Sequence, residues 1–172
     1  LAEHWLGKAK SCQNMVAMTL GTGVGVGVIC NGELFRSGRG LHPEASHLYI
    51  NAKDKTAPSG AKDWGSIEAY RAGPAFCRRW EKRFKIKNLD GQNLRRVLET
   101  GGKLAKEACS EYAWNLSRAI NNFVVLFSPE KIVLSGGLSW MYPFVIEECM
   151  SELEKLLVTR REGVDLMPMV LE

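Results

Sequence analysis

The apolar positions at the start of the chain predict a small antiparallel sheet. Two apolar runs, at residues 15–20 and 24–30, have the length and composition of buried strands. Asn31-Gly32 follows the second run, and this dipeptide is typical of a tight hairpin turn leading into a third strand at residues 33–35. Residues 1–10 have the pattern of a helix end.

The middle of the chain predicts a long loop followed by two helices. Glycine, proline and polar residues dominate residues 36–65, within which only residues 48–51 favour a strand. Loops of this length usually carry function. Ser66 can cap a helix, and Pro74 suits the first turn of a second one. The charged stretch RRWEKRFKIK at residues 78–87 predicts a solvated helix face rather than a nucleic-acid patch.

The second half of the chain predicts two long helices separated by a buried strand. Apolar residues recur every three or four positions through residues 103–127, which is the periodicity of an amphipathic helix. Residues 132–134 predict a buried strand that leads into Gly136-Gly137. Another amphipathic helix is predicted at residues 143–157, and a last strand before Glu172. This order predicts one α/β lobe.

Composition narrows the class of protein. With 45% hydrophobic and 24% charged residues among 172, the chain can bury a core, which excludes a disordered protein. The formal net charge of +4 is scattered along the chain, so nucleic acid is not an expected partner. No apolar run approaches the length of about 20 residues that a membrane-spanning helix needs. The five widely spaced cysteines predict reduced thiols in a cytoplasmic protein.

Glycine occupies every second position from Gly21 to Gly27, and a period of two is that of a strand with one bare face. The motif is neither a P-loop nor the dinucleotide fingerprint GxGxxG. A bare backbone lets peptide amides approach a phosphate closely, and Thr22 adds a hydroxyl donor. The alternative is a strand packed tightly beneath a helix.

A second glycine pair, Gly136-Gly137, follows the strand predicted at residues 132–134. Open α/β sheets bind ligands at the carboxyl ends of their strands. Taken together, the two glycine motifs suggest a nucleotide held between two glycine turns.

In this order, the motifs resemble those of the ROK family of sugar kinases and repressors, which belongs to the actin-like ATPase superfamily. Residues 20–28 resemble the family's phosphate-binding hairpin, and residues 43–47 its Gly-Glu-x-Gly-His element. Residues 65–70 resemble its Gly-Cys-x-Glu segment, and residues 128–137 its Asn-Pro-Glu turn, strand and glycine pair. The resemblance implies a ribonuclease H-like lobe with a mixed sheet, opened by a β-hairpin and flanked by helices.

The resemblance implies ATP-dependent phosphorylation of a hexose or N-acetylhexosamine, with Mg²⁺. It assigns four hairpin residues to the ATP phosphates: Gly21, Thr22, Gly23 and Gly25. It assigns Gly136 and Gly137 to the adenosine, and Glu44, His47 and Glu68 to the sugar hydroxyls. Carboxylates and an imidazole can satisfy hydroxyl groups that donate and accept at once. Without the resemblance, the same three residues read as two surface acids and a structural histidine.

Members of the family commonly bind a structural zinc ion through that histidine and three cysteines in a CxCGxxGC arrangement. Residues 57–66 of this chain read APSGAKDWGS, and no cysteine lies between Cys30 and Cys77. Serine hydroxyls do not replace thiolates as zinc ligands, so we expect no zinc and a His47 oriented by hydrogen bonds alone. Pro43 and Ser46 replace the two glycines of the sugar-site element, so the sequence does not identify which sugar is bound.

The resemblance places the catalytic aspartate upstream of residue 1, so no residue of this chain is assigned as the general base. We expect the chain to be most of a second lobe, truncated at its C-terminal end, inactive alone and part of a homodimer. The main alternative is the sugar-sensing lobe of a ROK repressor, but a sensor needs no phosphate-binding hairpin. A zinc-free actin-like kinase of another family is a third reading, which the Pro-Glu-x-x-His spacing disfavours.

Overall fold

Five strands form one mixed sheet in a computed structural model that describes residues 4, 7, 9–157 and 165–168. The strands are β1 (Met15–Leu20), β2 (Val24–Cys30), β3 (Glu33–Leu34), β4 (Lys131–Ser135) and β5 (Asp165–Pro168). Their order is β3-β2-β1-β4-β5, with antiparallel pairing from β3 to β1 and parallel pairing from β1 to β5. The mixed sheet and its opening hairpin confirm the predicted fold class. The helix end predicted over residues 1–10 lies largely outside the described residues.

The hairpin turn and the bare face of β2 follow the sequence pattern. Asn31 and Gly32 both have positive φ angles, 53° and 77°, as the tight turn requires. Along β2, the valines at positions 24, 26 and 28 are buried in the main core, whereas Gly25 on the opposite face is exposed. The alternation therefore places one face of β2 against the core and leaves its other face bare at Gly25 and Gly27.

In the part of the chain that the structure describes, five α-helices accompany the sheet: α1 (Ile67–Arg71), α2 (Gly73–Phe84), α3 (Gly91–Glu99), α4 (Lys103–Phe127) and α5 (Tyr142–Leu157). Ser66 caps α1, since its hydroxyl oxygen accepts from the Ala69 N–H at 3.1 Å. Four of these helices were predicted, and α3 was not. Asp90 begins α3 by accepting from the Asn93 N–H at 2.8 Å. Among the described residues, no helix combines the length and hydropathy needed to span a membrane.

Two predictions about the middle of the chain are wrong. Residues 48–51 form no strand of the sheet: Tyr49 makes only an isolated antiparallel β-bridge with Ser66, beside which the Ile50 and Asn51 N–H groups both donate to the Gly65 carbonyl, at 2.8 and 3.0 Å. The stretch 78–87 is not simply a solvated face, because Arg79 and Trp80 are buried. α2 also ends within it, at Phe84, where Lys85 takes a left-handed φ of 55°.

Candidate functional site

Two glycine turns meet at one edge of the sheet. Because β1 and β4 are parallel neighbours, the turn after β1 and the Gly136-Gly137 pair after β4 lie side by side. The Leu138 N–H donates to the Leu20 carbonyl at 3.0 Å and ties the two turns together. Gly136 has a φ of +98°, and a Cβ there would lie 2.5 Å from the Leu20 oxygen, so this position accepts only glycine.

The start of α2 joins the same edge. The Gly73 N–H donates to the Gly21 carbonyl at 2.7 Å, and a Cβ at Gly73 would lie 3.4 Å from that oxygen. The N-terminal end of α2 is therefore fixed against the glycine turn after β1. A helix N-terminus carries a partial positive charge, which favours anionic groups nearby.

A cleft of about 490 Å³ opens between these elements. Three of the predicted nucleotide residues line it, namely Gly21, Thr22 and Gly137. A Cβ added at Gly21 or Gly137 would meet nothing within 4 Å, so both glycines border open space. The edge of the cleft is thus bare backbone at these two glycines, with Thr22 beside Gly21.

The opposite wall of the cleft comes from residues that the sequence did not single out. They lie in the first two turns of α2, around the start of α3 and directly after the Gly136-Gly137 pair: Gly73, Pro74, Cys77, Arg78, Leu89, Asp90, Gly91 and Leu138. Burial raises the pKa of the Cys77 thiol to about 11, so this side chain is neutral and adds to the apolar surface of Leu89 and Leu138. The cleft therefore pairs an edge formed by glycine backbone and Thr22 with an apolar wall.

The other predicted nucleotide residues do not line the cleft. Gly25 lies within β2, opposite Thr19, and Gly136 packs against the backbone of Leu20. Gly23 faces α1 instead, where a Cβ would lie 3.1 Å from Oε2 of Glu68. The structure thus separates the glycines that border the cleft from those that shape the turns.

Glu68 connects the glycine hairpin to the loop of residues 36–65. It lies in the first turn of α1, and its Oε2 accepts from the Val24 N–H at 3.2 Å. The carboxylate therefore sits beside the hairpin, close to the cleft edge and on the side from which the long loop approaches.

His47 lies in a short 3₁₀ turn, Ala45–His47, and is held by Asp63. Nδ1 of His47 lies 2.8 Å from Oδ2 of Asp63. This hydrogen bond raises the pKa of His47 above its ordinary value, while burial acts against it. Burial also opposes ionisation of Asp63, but hydrogen bonds from Ser59, His47 and Ser66 lower the pKa of Asp63 below its ordinary value. Asp63 is therefore a carboxylate at neutral pH.

The three predicted sugar residues share one electrostatic environment. The charges of Glu68 and Glu44 both act to raise the pKa of His47. Glu44 itself is exposed and lies 3.0 Å from Nε2 of His42. Glu44 is thus the solvent-exposed member of the three, whereas Glu68 contacts the hairpin at Val24.

The donor set around His47 does not fit zinc. Ser66, which stands in the position of the family's last cysteine, donates its hydroxyl to Oδ1 of Asp63 at 3.0 Å. Within the described part of the chain, no group of three or more His, Cys, Asp or Glu side chains is arranged to hold a metal ion. Hydroxyls, an alanine and a carboxylate stand where thiolates would be needed, so the residues present do not fit a zinc ion.

Two features of the site lay beyond sequence reasoning. Asp63 and His47 are 16 residues apart in an irregular loop, and no periodicity links them. The cleft wall formed by Leu89 and Asp90 depends on α3, whose one sequence signal was an Asp in front of leucines spaced four apart, Leu94 and Leu98.

Comparison with known proteins identifies the family of this chain. The ROK family model matches residues 1–170. The chain belongs to the ROK family. This membership confirms the resemblance carried by the glycine motifs and by the His47 loop.

Curated ROK relatives include both kinases and repressors. The chain is 29% identical over 155 residues to a putative fructokinase of Bacillus subtilis, covering 84% of this chain and 46% of the relative. It is 25% identical over 168 residues to the xylose repressor of the same organism, covering 96% of this chain and 42% of the relative. The chain therefore spans about half the length of the curated relatives that it matches.

Solved structures share the fold. The ROK hexokinase of Thermus thermophilus has a TM-score of 0.84 and 25% identity, covering 97% of this chain and 56% of that one. A ROK family glucokinase of Streptomyces griseus, solved in complex with glucose and AMPPNP, has a TM-score of 0.82 and 20% identity over 97% of this chain and 59% of that one. The ribonuclease H-like, actin-like ATPase fold of the chain is thereby shown.

Proposed function

We propose that this chain is the nucleotide-binding lobe of an ATP-dependent sugar kinase, acting on a hexose or N-acetylhexosamine. The observation that carries the proposal is the meeting of two glycine turns at one sheet edge, beside the start of α2 and above a cleft of about 490 Å³. A pure sugar sensor has no use for an edge of bare backbone of this kind. ROK kinases among the relatives support the same reading.

The glycine edge is suited to phosphate groups and the apolar wall to a base. The Gly21 N–H donates to the Gly23 carbonyl at 3.0 Å, so Gly21 contributes a bare backbone that a phosphate can approach closely. Thr22 offers a hydroxyl donor beside the N-terminal end of α2, where negative charge is favoured. Leu89, Leu138 and the neutral thiol of Cys77 form a surface on which an adenine ring can be buried. Gly137 keeps the entrance between these two regions open.

The loop of residues 36–65 is suited to a sugar. The Nε2 of the neutral His47 ring and the carboxylates of Glu68 and Glu44 supply acceptors for hydroxyl groups, and Glu68 also contacts the glycine hairpin through the Val24 N–H. In phosphoryl transfer the protein contributes mainly positioning and electrostatic stabilisation. Holding both substrates at one sheet edge is therefore the main task of this lobe.

Two components of the reaction come from outside these residues. Mg²⁺ would supply charge neutralisation on the phosphates, and the described residues contain no cluster of three acidic or histidine ligands for it. The aspartate that activates the sugar hydroxyl is expected in the other lobe, which the family resemblance places before residue 1. The active unit is therefore proposed to be a two-lobed protein.

A repressor-type sugar sensor is the second candidate, and the match to the xylose repressor over 96% of the chain favours it. Such a protein would bind sugar at the loop of residues 36–65 without using ATP. The same His47 and Glu68 would then serve recognition alone.

The test is sugar-dependent ADP release by the two-lobed protein, supplied with MgATP and a panel of hexoses and N-acetylhexosamines. We expect one or a few sugars to release ADP at rates far above the sugar-free background. If no sugar does so while a sugar still raises the melting temperature, the kinase proposal is contradicted and the sensor is supported.

A further inference from the structure

The carboxylate of Asp63 is the centre of a compact hydrogen-bond cluster. Its two oxygens are shared between His47 and Ser66: Oδ2 lies 2.8 Å from Nδ1 of His47, and Oδ1 accepts from the Ser66 hydroxyl at 3.0 Å. The side chain of Ser59 also hydrogen-bonds to this carboxylate. Three segments that are separate in sequence therefore converge on one side chain.

The loop that carries Asp63 is itself closely held. The Ser59 N–H donates to the Asp63 carbonyl at 2.9 Å, and the Ser59 hydroxyl accepts from the Ala61 N–H at 3.1 Å. Pro58 and Trp64 form an isolated β-bridge at the base of the loop. Ser59 and Ser66 are both buried, so the partners of Asp63 are fixed in place. The position of the carboxylate is thus determined by the backbone around it.

Ser66 links this cluster to the helix that carries Glu68. The same Ser66 oxygen that donates its hydrogen to Asp63 accepts from the Ala69 N–H and so caps α1. Glu68 is the second residue of α1, and its Oε2 accepts from Val24 in the glycine hairpin. Two of the three proposed sugar residues, His47 and Glu68, are therefore connected through Asp63 and Ser66.

The charge state of Asp63 fixes the tautomer of His47. An ionised carboxylate can only accept hydrogen bonds, so Nδ1 of the neutral ring must carry the proton. Nε2 then keeps its lone pair and acts as an acceptor. A ring held at Nδ1 in this way presents Nε2 in a constant direction, which is the usual purpose of a carboxylate partner behind a functional histidine.

We propose that Asp63 is a positioning residue that occupies, in this chain, the place of the metal ion that other ROK proteins use, holding His47 in the Nδ1–H tautomer and aligning it with Glu68. Asp63 does not contact the sugar itself. The role assigned to His47 rests on the proposed function, whereas the hydrogen-bond cluster stands on the contacts given above. The ligand that Nε2 would meet is a hydroxyl group that donates, as the hydroxyls of a hexose can.

The test compares Asp63→Ala and Asp63→Asn with the unsubstituted protein. Asparagine keeps the size of the side chain and one acceptor oxygen. The Asp63→Asn variant should therefore keep the loop conformation but weaken the hydrogen bond to Nδ1 of His47. The matched control is Glu99→Gln, which removes an exposed carboxylate paired with Arg95 on α3. Long-range ¹H–¹⁵N spectra at alkaline pH report which ring nitrogen is protonated, and the His47 signals are identified by their loss in His47→Gln.

We expect a protonated Nδ1 in the unsubstituted protein and in Glu99→Gln, and a mixture of both tautomers in Asp63→Ala. In the two-lobed protein the sugar KM should rise about 10-fold or more in Asp63→Ala and less in Asp63→Asn, with the ATP KM within about twofold. Metal analysis should find no stoichiometric zinc in any of these proteins.

Three results would overturn the inference: an unprotonated Nδ1 in the unsubstituted protein, the same tautomer and sugar KM in Asp63→Ala as in Glu99→Gln, or one tightly held zinc ion per chain. If the unsubstituted protein turns over no sugar, the proposed function fails instead. The tautomer comparison then decides the role of Asp63 by itself.

Discussion

Asp54 connects the long loop to α1 and α2 through a single carboxylate. It accepts from the Thr56 N–H at 2.6 Å, from the Tyr70 hydroxyl and from Nη1 of Arg79. The guanidinium of Arg79 is almost fully buried and stacks on the Tyr70 ring, with 3.9 Å from its carbon to the ring centroid. This contact explains why Arg79 turns inward, whereas the neighbouring charged residues Arg78 and Lys82 face solvent.

Asp54→Asn should therefore destabilise the protein strongly at neutral pH. The substitution leaves the Arg79 charge buried without its partner, which typically costs about 3–5 kcal/mol. The loss is measured as the difference in free energy of unfolding between the variant and the unsubstituted protein. Glu99→Gln, with its exposed carboxylate, should change this free energy by less than about 0.5 kcal/mol.

The loss of stability caused by Asp54→Asn should become smaller as the pH falls. Burial acts to raise the pKa of Asp54, but hydrogen bonds from Thr56, Tyr70 and Arg79 hold it well below its ordinary value. Because the folded-state pKa is depressed, the stabilisation is complete above the unfolded-state pKa of about 3.9 and is lost as the pH falls below it. The difference in free energy of unfolding between Asp54→Asn and the unsubstituted protein should therefore decrease below about pH 4. A difference that stays constant down to pH 2 would contradict the role of the Asp54 carboxylate.

At the scale of the elements, the sheet edge depends on one glycine. Gly136 combines a φ of +98° with a Cβ position 2.5 Å from the Leu20 carbonyl oxygen, whereas Gly137 next to it has open space at its Cβ position. The two neighbours thus provide a matched pair of substitutions that differ in backbone geometry alone.

Gly136→Ala should lower the free energy of unfolding by about 1–3 kcal/mol or more, because a strained φ and a backbone clash are added together. Gly137→Ala should leave it nearly unchanged. Urea denaturation of both variants makes the comparison. Equal stability of the two variants would show that β1 and β4 do not meet at their carboxyl ends as described.

The elements differ in how far the sequence determines them. β1, β2, α4 and α5 carry their apolar periodicity locally, so their residues were predictable with small errors at the ends. Residues 48–51 have the composition of a strand, but their pairing is limited to one isolated bridge between Tyr49 and Ser66, because α1 begins directly after Ser66. α3 is short, and its signals were only an N-terminal Asp and two buried leucines.

The candidate site was predictable to the extent that it follows from sheet topology. Two glycine turns after parallel neighbouring strands must share an edge, so Gly21, Thr22 and Gly137 could be placed together. The partner of His47 and the apolar wall could not be predicted from the sequence. Each depends on contacts between residues that are far apart in an irregular loop or lie on different helices. The position of Gly23 away from the cleft has the same origin, since it depends on where α1 packs.

At the scale of the whole molecule, the chain brings one sheet edge, the start of α2 and the long loop to the same region. The chain spans about half the length of its curated relatives, in agreement with the proposal that a second lobe completes the active unit. The cleft of about 490 Å³ is open on the side of the glycine turns. We propose that ATP binds in this cleft, between the two glycine turns.

The most direct test of this claim compares Gly21→Ala with Gly27→Ala in the two-lobed protein. A Cβ at either position would meet nothing within 4 Å, so both variants should fold, but only Gly21 lines the cleft. The ATP KM is measured by ADP release at saturating sugar. We predict a rise of about 10-fold for Gly21→Ala, equal to about 1.4 kcal/mol of lost binding, and no change for Gly27→Ala. An unchanged ATP KM in Gly21→Ala would contradict a nucleotide at this edge.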